Sequence, residues 1–108
     1  FIQFNFARPI NIEGFIQENL TLWKPYFEEN MESMGMVNWG VGRKLAPLGT
    51  NWAKVSTWDM FNSLEELINN RIGYELPANL SKKSKMKEYN SEGFTNMPIF
   101  HMIANTAR

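Results

Sequence analysis

The chain has 108 residues, 44% of them apolar, and its 11 basic and 11 acidic side chains cancel. This length suits one domain over residues 1–108 with one modest core, and the apolar share excludes a disordered chain. Zero net charge argues against nucleic acid as a partner, because phosphate binding needs surplus Lys and Arg, and the lack of cysteine removes disulfides, thiolate chemistry and Cys-ligated metals.

No apolar run approaches the ~20 residues of a membrane-spanning helix, so no membrane partner is expected. Phe1 opens inside an apparent strand and Arg108 follows another, which reads as a trimmed chain. Export and cytoplasmic residence both stay open on that reading.

The first element is FIQFNFA, residues 1–7, whose strict alternation predicts a half-buried strand. Arg8-Pro9 ends it. Asn11 is a candidate helix N-cap. An apolar stripe follows at helical spacing through Ile16, Leu20, Trp23, Phe27, Met31 and Met34. Gly35 suits the left-handed position after the last turn. Pro25 falls inside the stripe and predicts a kink near Trp23 or two helical pieces.

Residues 36–46 and 51–61 read as two strands of a hairpin around the turn PLGT. Ser63 and Glu66 form a capping box at the start of a second helix with apolar positions Leu64, Leu67, Ile68 and Ile72, which Gly73 can close. Residues 74–96 are polar and aperiodic, with a weak helix over 80–89, and Gly73 and Gly93 flank them as hinges of a candidate lid. Residues 97–105, MPIFHMIAN, read as the last strand.

The order β-α-β-β-α-β predicts an α+β, ferredoxin-like sandwich: a four-stranded antiparallel sheet with two main helices on one face. Alternation assigns Ile2, Phe4, Phe6, Val41, Ala53, Val55, Phe100 and Met102 to the helix side. The opposite face then carries Gln3, Asn5, Gly40, Gly42, Lys54, Ser56, Trp58, His101 and Ile103. Gly40 and Gly42 leave room there, which Trp52 and Trp58 can fill from the other arm of the hairpin.

The stretch LWKPYFEENMESMGMVNWGVGRKLAPLGTNWAKVSTWDMFNSLEEL carries a resemblance to the dimeric α+β barrel superfamily. It is similar to an uncharacterised bacterial group within it, through Trp23 and Pro25, Gly35, Trp39 and Gly40, the Leu-Gly-Thr turn and the Asn-Ser-Leu helix start. The resemblance covers roughly residues 1–72 as a pattern. It implies a homodimer with two sheets face to face. Haem-degrading members of the superfamily use an Asn on the first strand, a Trp at the end of the third and a His on the second helix. Asn5 and Trp58 match the first two, but residues 63–92 contain no His, so no cofactor is expected.

Most candidate site residues have two readings. Asn5, with Gln3, either orients a ligand or makes a cross-strand hydrogen bond. Trp58 either orients or stacks on a ligand or simply packs, and Trp39 is expected to line the ligand pocket. His101, the sole histidine, either handles a proton or is structural, and alone it is a poor metal site, so no metal is expected. Lys54 either holds an anionic group or snorkels at the edge. The basic cluster Lys82, Lys83, Lys85 and Lys87 reads as solvated surface.

Three functions follow. The first is a small-molecule-binding protein with its pocket between sheet and helices or in the dimer barrel. The second is a cofactor-independent or haem-degrading-like monooxygenase with Asn5, Trp58 and His101 as its catalytic residues. The third is a non-catalytic dimerisation module.

Overall fold

The structure, a computed structural model, describes residues 1–73 and 75–106. Tyr74, within the expected lid, and Arg108, at the expected trimmed end, lie outside them. Elements run β1 (Ile2–Ala7), α1 (Ile12–Glu18), a π-helical turn (Asn19–Trp23), α2 (Lys24–Met34), β2 (Met36–Arg43), β3 (Val55–Phe61) and α3 (Leu64–Gly73). The short elements α4 (Ala78–Lys83), α5 (Met86–Tyr89), β4 (Phe94–Asn96) and β5 (Ile99–Phe100) complete the order. They form a compact α+β domain with an open antiparallel sheet in the order β2-β3-β1-β4, and β5 pairs with the other end of β1.

The helix boundaries follow their chemistry. Asn11 caps α1 through a 2.9 Å bond from the Gly14 N–H to its side-chain oxygen. Pro25 sits in the first turn of α2, where its missing N–H is harmless. The expected break resolves as the π turn, across which Lys24 N–H bonds the Asn19 carbonyl. The π turn also shifts the inward stripe. Phe15, Asn19, Trp23 and Phe27 face the sheet side, whereas Leu20 is exposed. Steps of four overshoot an α-turn of roughly 3.6 residues, and the wider i→i+5 turn takes up the excess. Gly35 ends α2 at φ 73°, as its position predicts. The Ser63 hydroxyl accepts from the Glu66 N–H at 3.1 Å and opens α3.

Three expectations about strands change. The hairpin strands end at Arg43 and begin at Val55, so the connection is 44–54 rather than a tight PLGT turn. The last strand is broken. Pro98 cannot donate, so β4 and β5 are separate short pieces, and residues 101–106 are irregular. The weak helix over 80–89 is two pieces, α4 and α5.

The largest correction concerns β1. Its buried residues are Gln3, Asn5 and Ala7, while Ile2, Phe4 and Phe6 are only half-buried. Register pairs Asn5 with Thr57 and Gln3 with Asp59, so Gln3 and Asn5 lie under the helices with Val55 and Phe61. Ile2, Phe4, Phe6 and Phe100 share the other face with Trp58 and Met60. Alternation separates two faces but does not say which one is covered. The apolar residues on the covered face fall into two clusters, Ala7–Phe15–Val55 and Met36–Phe61–Leu67. Between them along β1 and β3 lie Gln3, Asn5, Thr57 and Asp59.

On the open face, Trp58 lies flat across Gly40, its directly paired residue on β2. A Cβ at Gly40 would come within 1.9 Å of the indole, and one at Gly42 only within 3.5 Å. The room predicted at the glycines is therefore taken by Trp58 through Gly40; Trp52 instead sits half-exposed in the 44–54 loop under the Lys44 ammonium. Gly40→Ala is expected to destabilise the fold by about 1–3 kcal/mol through overpacking. In a Trp58→Ala background the same change costs little. Urea denaturation of the four proteins in this cycle checks the coupling; additive effects of the two changes would contradict it.

Candidate functional site

A cavity of about 730 Å³ lies between the covered sheet face and the helices. Its floor is the polar row of β1 and β3. Its wall and roof come from Phe15, Asn19, Trp23 and Phe27 of the first helical stretch, Trp39 of β2 and the segment from α4 to β4. The Phe27 and Trp39 rings stack with centroids 5.1 Å apart, and Trp23 lies 6.4 Å from Phe27. The site therefore joins an aromatic wall to a hydrogen-bonding floor.

The floor is a connected network. Asn5 Nδ2 donates to Thr57 Oγ1 at 3.1 Å and to Asp59 Oδ2 at 2.9 Å. Gln3 Nε2 donates to Asn5 Oδ1 at 2.7 Å. All four residues are buried. Burial pushes the Asp59 carboxyl above its ordinary value of 3.8, and the Asn5 N–H pulls it part of the way back.

The roof is held by a second buried carboxylate. Glu18 accepts from Trp23 Nε1 at 2.8 Å and from Ser84 Oγ at 2.8 Å, and also from the Lys85 N–H. One side chain thus fixes the orientation of an aromatic wall residue and clamps the α4–α5 segment against α1. Gly14 permits that approach, since a Cβ there would lie 2.9 Å from the Tyr89 ring.

The cavity gathers three of the residues singled out in the sequence, Gln3, Asn5 and Trp39. It does not gather the other three. Trp58 is on the opposite sheet face, where its Nε1 donates to Asn38 Oδ1 at 2.9 Å. Lys54 reaches the Gly49 carbonyl at 3.3 Å within the hairpin connection. His101 is exposed and stacks on Phe1, centroids 4.4 Å apart. The sheet therefore separates Asn5 from Trp58.

Sequence reasoning passed over Thr57, Asp59, Glu18, Asn19 and Asn90. For two of them a signal existed. Thr57 and Asp59 share parity with Val55 and Phe61, and a strand buried at both ends buries what lies between. Glu18 and Asn90 had none, because their burial depends on contacts across the fold. No protein-family model, no curated protein and no solved structure matches this chain.

A carboxyl whose native pKa lies above its unfolded one favours folding below the unfolded value and loses that contribution as pH rises through the native value. Asp59→Asn stays neutral throughout. Its urea midpoint is expected to exceed that of the wild type near neutrality, with the advantage vanishing as pH falls to 3.8 and below. Paired titrations at neutral and acid pH check this, and a lower midpoint for the variant at neutral pH is the contrary result.

Proposed function

We propose that the protein binds a small organic ligand in the cavity between its sheet and helices. The carrying observation is the cavity itself: about 730 Å³, within the usual ligand range, with buried polar side chains on one side and aromatic rings on the other. An unused gap of this size between sheet and helices would forfeit packing on both sides. A polar floor beneath it would carry a desolvation cost with no return.

The same proposal includes a homodimer of ferredoxin-like subunits, paired through the open sheet face as a dimeric α+β barrel. That face carries Ile2, Phe4, Phe6, Trp58, Met60 and Phe100, and Phe100 is 56% exposed. None of these residues is charged, so a second copy of the patch meets no repulsion in a two-fold contact. Phe4 packs on Phe6 and edge-on to Phe100, which gives the patch a continuous aromatic surface.

Two measurements test these readings separately. The neutral dye N-phenyl-1-naphthylamine is expected to bind with energy transfer from Trp23 and Trp39. Ser81→Trp, which places an indole at a cavity-lining position, is expected to weaken that binding; no fluorescence enhancement with the wild type would end the cavity reading. Sedimentation at micromolar concentration is expected to show a dimer that Phe4→Asp converts to a monomer with dye binding retained. A wild-type monomer under those conditions would end the dimer reading.

A further inference from the structure

We propose that the ligand is a cationic amine, an ammonium head on an apolar or aromatic body, seated against Asp59 and Gln3. This rests on the cavity being a ligand site and adds the chemistry that its floor selects.

The floor's hydrogen bonds run in one direction. A carboxylate can only accept, so Asp59 turns the Asn5 amide NH2 towards itself. Asn5 spends its two hydrogens on Asp59 and Thr57, and its carbonyl then takes the Gln3 NH2. What remains at the end of the relay is the Gln3 carbonyl, and Gln3 Oε1 is buried without a partner. Asn90, which follows α5 and lines the same cavity, likewise has its Oδ1 buried without a partner. Gln3 and Asn90 are only 5% and 7% exposed, so bulk water does not serve these oxygens.

The amide hydrogens of Asn5 are thus consumed within the floor, and the buried side-chain atoms left with no partner at all, among the described residues, are both oxygens. Gln3 and Asp59 are directly opposite each other across the β1–β3 ladder, which puts the two side chains on the same face as neighbours lining the cavity. A primary ammonium offers three donors and no acceptor, the complement of that arrangement. An anionic ligand would meet lone pairs and a like charge. A neutral alcohol has one donor, enough for a single carbonyl, and would leave the Asp59 charge without a counter-ion.

The surrounding charges fit. Asp59 has no ion-pair partner among the described residues. Arg71, Lys87 and Glu92 also line the cavity, but from exposed positions where solvent screens them; Arg71 bonds the Met97 carbonyl and Glu92 pairs with Arg8. Glu18 is occupied by Trp23, Ser84 and the Lys85 N–H. Trp23, Phe27 and Trp39 line the same cavity and supply apolar aromatic surface for the body of the ligand.

The experiment is displacement of N-phenyl-1-naphthylamine from the full chain by 2-phenylethylamine and by 3-phenylpropionate, two aryl compounds with opposite heads. The amine is expected to displace the dye at least about tenfold more effectively, the scale of a charged hydrogen bond. Asp59→Asn, compared with the wild type at equal dye saturation, is expected to erase the preference. Gln3→Met, which removes the free carbonyl but leaves the carboxylate, is expected to weaken the amine by roughly threefold to tenfold. Equal displacement by both compounds, a preference for the carboxylate, or a preference that survives in Asp59→Asn would overturn the amine assignment while the cavity reading stands. Failure of the dye itself to bind would remove the cavity reading and this inference with it.

Discussion

Both amide hydrogens of Asn5 cross the ladder to β3, one to Thr57 and one to Asp59, and the rest of the covered sheet face is arranged around that pair of bonds. A buried polar group left unpaired costs about 1–3 kcal/mol, and more when charged. Asn5 meets that requirement for two neighbours at once. The apolar core is consequently divided. Ala7, Phe15 and Val55 hold one end of the sheet to α1, and Met36, Phe61 and Leu67 hold the other end to α2 and α3. The cavity occupies the middle because the middle is where the side chains are polar.

The first helical stretch answers that division with its own change of register. A regular α-helix over residues 12–34 would carry an i+4 stripe steadily off the sheet. The π turn keeps Asn19 and Trp23 over the floor, and insertions of this kind recur where helices serve a site. Asn19 fixes itself by donating to the Phe15 carbonyl at 2.9 Å, so its side chain is satisfied without drawing on the floor. Glu18, one residue before, turns the same stretch into the anchor of the α4–α5 roof. Wall and roof are thereby coupled through a single carboxylate.

Much of this architecture was legible in the sequence where local chemistry decides it. Asn11, Pro25, Gly35 and Ser63 set helix ends by capping and ring geometry, and the alternation of residues 1–7 marks β1. Gly40 opposite Trp58 was legible as a gap to be filled. The side of the sheet that the helices cover was not, because period two is blind to it. The expectation of apolar residues inside then placed Phe4 and Phe6 under the helices, where Gln3 and Asn5 belong. The residues that answer the question lie on β3: Val55 and Phe61 are fully buried, and register carries their parity onto β1. For the site, Asn5, Gln3 and Trp39 were accessible to strand reasoning. Glu18 and Asn90 were not, since each is buried by elements far away in the chain.

Pro98 has an effect on the company this sheet can keep. It divides the outer strand beside β1 into β4 and β5, and the Pro98 carbonyl takes the Phe4 N–H at 3.0 Å to bridge the gap. A divided strand whose central residue has no N–H offers a poor template for a further strand. At the opposite border, β2 slips register between Met36 and Asn38, which twists that rim as well. Ribbon-like growth from edge to edge, the usual hazard of an open sheet, is blunted on both flanks, and any association is steered onto the broad pleated surface.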